Sequence, residues 1–199
     1  MADPLDMLRE ADVGAYFRLR DIVPFGVSHR HLQYLVADGS VEYFGNGLYR
    51  RSEVEPTELE TLAMVAAAIP RGVMCLITAL YFHDIGTQAP YDVWIAIDRK
   101  ARKPAHPPSR IRLVRFSGAA LTYGVVQQSA LGVPFRITSP ARTVVDCFRY
   151  RNKLGLDVAL EALQDVLRSR SATVDEIMRA AEVCRIRTVI RPYLEAIRV

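Results

Sequence analysis

Residues 19–51, LRDIVPFGVSHRHLQYLVADGSVEYFGNGLYRR, spell a helix, a corner, a second helix and a hairpin in unbroken order. The first helix is expected over Leu19–Val23. The corner falls at Phe25-Gly26-Val27, where glycine tolerates the backbone of a sharp turn. The second helix starts at Ser28, whose hydroxyl can accept from amides that a helix start leaves unpaired. Leu32, Leu35 and Val36 share one side of a 3.6-residue period and are expected to face a core. Arg30, Gln33, Tyr34 and Ala37 lie on the opposite side, and Gly39 ends the helix. Strands over Val41–Phe44 and Leu48–Arg51 flank Asn46-Gly47, a pair typical of two-residue hairpin turns. This order is the layout of a winged helix-turn-helix, which places one helix in a DNA major groove and a wing beside the backbone.

Within that layout, Ser28, His29 and Arg30 stand where the positive end of a helix favours a phosphate. Arg30 also has the fork that matches guanine, and Gln33 the amide that matches adenine, with Tyr34 beside them. On the wing, Arg50 and Arg51 are expected to touch phosphates, and Asn46 serves the turn as well as the candidate interface. Charge complicates the picture. The chain carries a net +4, but residues 1–70 hold 6 basic and 11 acidic side chains against 20 and 11 in the remainder. Phosphate attraction would then have to come partly from the second half. The segment Arg99–Arg115, RKARKPAHPPSRIRLVR, has seven basic residues and no acidic one. Its proline-rich first part reads as an exposed loop, and Arg99, Lys100, Arg102 and Lys103 are candidate backbone contacts.

Beyond the hairpin, SEVEPT at residues 52–57 reads as a boundary, with Thr57 placed to cap the next helix. The expected division is a DNA-binding domain over residues 1–54 and an α/β domain over 55–199. Helical spacing runs over 58–69 and again over 75–84. Strand-like stretches follow at 91–98, 111–116, 125–128 and 133–138, the last two joined by Ser129-Ala130-Leu131-Gly132. Ser139-Pro140 opens a helix with serine at the cap and proline in the first turn. After Gly155, Leu156, Ala159, Leu160, Leu163, Val166 and Leu167 form one apolar stripe, and two shorter helices close the chain. The fold class is α+β, with a small mixed sheet of about four strands and several helices in the second domain.

Half of the residues are apolar, enough for a proper core, and no apolar run has the length of a membrane span. The start, MADPLDMLREAD, lacks the features of a secretion signal, so a cytoplasmic location is expected. Cys75, Cys147 and Cys184 are far apart and read as reduced, buried side chains within helices. No metal and no cofactor are expected, since His29, His31, His83 and His106 form no ligand pattern. Asp98-Arg99-Lys100 at a strand end has the spacing of a metal-dependent nuclease. Such a site needs a further carboxylate, and only Asp84 and Asp92 lie near in the sequence. The chain is therefore expected not to be an enzyme. Asp146 reads as an ion-pair partner for Arg142 or Arg149 on one helix.

Four runs carry a resemblance to a family: GVSHRHLQYLVADGSVEYFGNGLYRR (26–51), CLITALYFHDIGTQ (75–88), RFSG (115–118) and SPARTVVDCFRYRNKLGLDVALEAL (139–163). Over nearly its full length the chain resembles the AbiEi antitoxins of bacterial abortive-infection toxin–antitoxin systems, and the last run is the most specific. The resemblance implies a two-domain antitoxin that represses its own operon by binding inverted repeats in double-stranded DNA. It also implies a C-terminal domain that counters a cognate nucleotidyltransferase-like toxin. The DNA-reading helix would be Ser28–Asp38 and the wing Val41–Arg51. Two alternatives stay open: a protein-interaction inhibitor of a toxin without sequence-specific DNA binding, and the metal-dependent nuclease.

Overall fold

The computed structural model describes residues 3–197. The chain is α+β and divides into two compact units. The first gathers the residues up to Pro70 with Lys103–Arg110 and Gln128–Phe135; the second gathers Arg71–Arg102, Ile111–Gln127 and the chain from Arg136 on.

The first unit begins with α1 (Pro4–Glu10), capped by the Asp3 side chain, which accepts from the Leu5 amide. Then come β1 (Tyr16–Arg18), α2 (Leu19–Ile22) and a single 3₁₀ turn over Val23–Phe25. Gly26 takes φ +84°, and Ser28 caps α3 (His29–Ala37) by accepting from the His31 amide at 3.2 Å. The hairpin is β2 (Val41–Tyr43) and β3 (Leu48–Arg51), and β1 completes an antiparallel sheet in the order β1-β3-β2. Leu8, Phe17, Ile22, Val27, Leu32, Leu35 and Val41 form the core. Each such side chain contributes about 1.5–3 kcal/mol by leaving water.

Three local expectations give way here. Val36 is 36% exposed, because Leu32 and Leu35 alone fill the inward stripe of a nine-residue helix. The register Tyr43↔Tyr49 leaves Gly45, Asn46 and Gly47 as a three-residue loop, all at positive φ, closed by the Leu48 amide donating to the Gly45 carbonyl. Thr57 caps no helix: its hydroxyl accepts from the Leu59 amide, and α4 runs later, over Glu60–Ala68. That helix is fastened at both ends. Glu60 accepts from the Tyr16 hydroxyl and from Arg50, each at 2.9 Å. The Arg18 guanidinium donates to the Ala67 and Ala68 carbonyls, which a helix end leaves unpaired. The first unit consequently extends to Pro70, past the boundary at 52–57.

The other sheet has five strands rather than about four: β4 (Val73–Met74), β5 (Val93–Asp98), β6 (Ile111–Phe116), β7 (Val125–Ala130) and β8 (Val133–Thr138), ordered β6-β5-β4-β8-β7. The sheet is mixed. The two-residue β4 lies in the middle, antiparallel to β5 and parallel to β8. Strand β5 pairs with β6 in parallel, so the segment between them is a crossover rather than a hairpin loop. Ser129 and Ala130 belong to β7, leaving Leu131-Gly132 as the turn.

Helices α5 (Leu76–Phe82), α6 (Pro140–Arg149), α7 (Arg151–Leu154), α8 (Leu156–Arg168), α9 (Val174–Val183) and α10 (Arg187–Ala196) supply the remainder. Ser139 and Pro140 open α6 as expected, and Ala141–Phe148 are all buried. On α8 the inward stripe holds except at Leu156, which is exposed at the helix start. The three cysteines are reduced and buried; Cys75 precedes α5 and Cys184 follows α9. Among the described residues, no helix is long and apolar enough to cross a membrane.

Candidate nucleic-acid interface

The exposed side of α3 is built by its cap and by the residues that its core face leaves outward. Ser28, His29, Arg30, Gln33 and Tyr34 are all exposed, and Tyr34 reaches 60%. The first turn is held reciprocally: the Ser28 hydroxyl accepts from the His31 amide, and His31 Nδ1 accepts from the Ser28 amide at 3.4 Å. Sequence reading missed the part played by His31, although the Ser-x-x-His spacing was visible.

Arginine pairing separates Arg30 from the rest. Arg9 meets Asp6 and Glu53; Arg20 meets Asp21; Arg18 donates to three carbonyls. Arg50 is buried, with Nε on Glu60 at 2.9 Å, Nη2 on the Val54 carbonyl at 2.8 Å and Nη1 near Glu42. Arg51 donates to Glu53 and to the Val13 carbonyl. The expected phosphate contacts at Arg50 and Arg51 are therefore corrected: both guanidiniums are spent inside the first unit. Hydrogen bonds from Arg51 and Arg9 hold the Glu53 carboxyl below its ordinary pKa. Burial and Glu60 push the Tyr16 hydroxyl up to about 12. Among the described residues up to Pro70, Arg30 is the one arginine with neither an ion pair nor a hydrogen-bond partner for its side chain.

The hairpin presents aromatic rather than cationic side chains. Tyr43 and Phe44 are exposed yet braced, Tyr43 against Tyr49 at 5.1 Å and Phe44 edge-on to Tyr16 at 5.5 Å. Asn46 is exposed at φ +52°, with Nδ2 donating to the His106 carbonyl at 3.5 Å and its own carbonyl accepting from Arg18.

Of the basic segment, Arg99, Lys100 and Arg102 are exposed in the second unit and Lys103 is exposed in the first. Arg112 is not free: it pairs with Asp92 at 2.8 Å and lies over Trp94. Arg115 folds onto the carbonyls of Asp98, Arg99 and Ala101. Asp98 ends β5, and its carboxylate accepts from the Lys100 amide at 2.7 Å. Among the described residues, no group of three or more His, Cys, Asp or Glu side chains is placed to hold a metal.

The most specific run of the sequence, 139–163, holds a buried ion pair. Arg142 and Asp146 are both fully buried, with Arg142 Nε on Asp146 Oδ1 at 3.0 Å. The other guanidinium nitrogens donate to the Tyr123 and Ala120 carbonyls at 2.7 Å each. The Phe116 ring lies 5.1 Å from the guanidinium carbon. Burial raises the Asp146 carboxyl to about 6, against the pull of Arg142. The Arg142–Asp146 pair joins structural elements within the second unit and offers no exposed chemistry.

No family model matches the chain, and no curated protein matches it either. Among solved structures, the fold is similar to that of the Rv2827c protein from Mycobacterium tuberculosis. The TM-score is 0.59 at 13% identity, covering 90% of this chain and 69% of that one. The likeness is one of fold.

Proposed function

We propose that the first unit is a winged helix-turn-helix that lays α3 in a DNA major groove. On this reading the chain is a cytoplasmic antitoxin that represses its own operon and counters a nucleotidyltransferase-like toxin through its C-terminal part. One observation carries the DNA reading: Arg30 stays unpaired on the exposed start of a capped helix, while the five other arginines up to Pro70 are taken up internally. An unpaired guanidinium flanked by Gln33 and Tyr34 is the chemistry that reads base edges. Arg99, Lys100, Arg102 and Lys103 supply sequence-independent attraction to the backbone. The antitoxin role rests on the family resemblance of residues 139–163.

The test is a mobility shift with the DNA upstream of the chain's own reading frame. Arg30→Ala weakens binding to that DNA by about 1–3 kcal/mol and spares binding to random duplex. Equal losses on both would refute base reading, and no binding by the wild-type chain would refute the DNA role. Co-expression with the neighbouring reading frame tests the rest: unrelieved growth arrest would exclude the antitoxin role. One observation favours a protein-directed wing, namely that the hairpin exposes Tyr43 and Phe44 while Arg50 and Arg51 are taken up by internal partners. In that case Tyr43→Ser lowers toxin neutralisation and leaves DNA binding unchanged.

A further inference from the structure

The two edges of the five-stranded sheet are treated differently. The β6 edge carries Arg112, paired with Asp92, and Arg115, both exposed, so bulky cationic side chains flank that edge. Cationic side chains are the usual means by which proteins keep a sheet edge from pairing with another strand. The β7 edge has no such guard. Its sequence, VVQQSA, contains no charged residue and no proline, and Val126, Gln127, Gln128 and Ser129 are all exposed. Among the described residues, no backbone hydrogen bond other than the sheet ladder involves Val126–Ser129. An edge strand leaves alternate amides and carbonyls unpaired on its outer side, and another strand satisfies them best.

We infer that β7 is a self-association edge, pairing antiparallel with β7 of a second copy of this chain. The strand's own chemistry selects that partner. Antiparallel pairing of a strand with itself is a two-fold operation, so it closes at a dimer. An uncharged strand meets its copy without repulsion, and the glutamine amides are both donors and acceptors, so they can pair across the axis. A charged partner strand would gain nothing from Val126, Gln127, Gln128 and Ser129. This inference stands independently of the DNA reading.

Sedimentation velocity of the full chain from about 1 µM to about 200 µM tests it. The expected result is a monomer–dimer equilibrium whose midpoint moves at least about tenfold higher in Gln127→Lys/Gln128→Lys, since pairing would gather four added cations along one short seam. Both positions are exposed, so the variant keeps its fold. Hydrogen exchange at the amides of 126–129 should slow with rising concentration in the wild type and not in the variant. A monomer at every concentration overturns the inference. So does a dimer that withstands both lysines while those amides exchange at an unchanged rate.

Discussion

Replacing Arg142 by methionine should be among the most damaging single changes in the second unit, and its cost should depend on pH in a particular direction. In the wild type, Asp146 is fully buried and raised from 3.8 to about 6, with desolvation as the largest cause. A rise of that size corresponds to about 3 kcal/mol held against the ionised form. The folded pKa lies above the unfolded one, so the folded chain takes up this proton first. The contribution of this group to stability therefore increases as pH falls from about 6 towards about 4. Arg142→Met removes the neighbour that opposes desolvation and pushes Asp146 higher still. Above pH 7 the loss is about 3–5 kcal/mol, the cost of leaving one member of a buried pair. The abandoned Tyr123 and Ala120 carbonyls add about 1–3 kcal/mol each. At pH 5, Asp146 is protonated in the variant, and the loss shrinks towards the carbonyl part alone. Urea titrations followed by emission of Trp94, the single tryptophan and a core residue, read both quantities. Arg142→Met/Asp146→Leu should be more stable than the single variant above pH 7. A loss equal at pH 5 and pH 8, or a double variant less stable than the single one, would refute the account.

Other outcomes follow from the same geometry. Gly14→Ala would place a Cβ 2.4 Å from the Gly132 carbonyl carbon, so thermal melting should show a loss of about 1–3 kcal/mol. Ellman's reagent should find essentially no reactive thiol in the native chain at pH 8 and three after denaturation, because burial raises the pKa of Cys75, Cys147 and Cys184; a rapid native reaction would contradict it. Neutralising Arg99, Lys100, Arg102 and Lys103 should reduce the slope of log affinity against log salt by about 3–4, as four lost phosphate contacts require. An unchanged slope would remove that segment from the DNA interface.

Helices, caps and turn positions were legible where one local cause decides them. Ser28 and Ser139 cap as read, Gly26 takes the corner, and Leu32 and Leu35 face inward, because each outcome depends on a few neighbouring residues. Strand β4 was invisible for the opposite reason. Val73-Met74 has no length and no alternation, and only its neighbours β5 and β8, some twenty and sixty residues away in sequence, make it a strand. The pairing of α4 escaped notice likewise, since Arg18 and Tyr16 reach it from more than forty residues off. Arg50 and Arg51 were misread because alternation along a strand tells which face a side chain takes but not which carboxylates already wait there. Glu60 and Glu53 lie beyond the hairpin, and Glu42, within it, meets Arg50 only through the register that sets the two opposite each other.

The same carboxylates give a spatial arrangement to the charge balance, which weighs against a DNA role for the acidic first part of the chain. Net charge sums acids and bases without regard to where they stand. In the structure Glu53 binds Arg9 and Arg51, Glu60 and Glu42 meet Arg50, Asp21 meets Arg20, and Asp3 and Asp38 accept from the Leu5 and Ser40 amides. An ion pair is nearly neutral beyond a Debye length, about 8 Å in physiological salt, so Glu53, Glu60, Glu42 and Asp21 are offset where they stand, whereas Asp3 and Asp38 keep their charge. What remains at the start of α3 is one unpaired guanidinium and the positive end of a helix dipole. Internal pairing leaves the excess of acid over base in the first part unchanged, 11 side chains against 6, but it occupies five of the six arginines. It fixes which arginine is left outward, and on the proposed reading a face with a single free cation would gain its affinity for DNA from shape and base contacts more than from bulk charge.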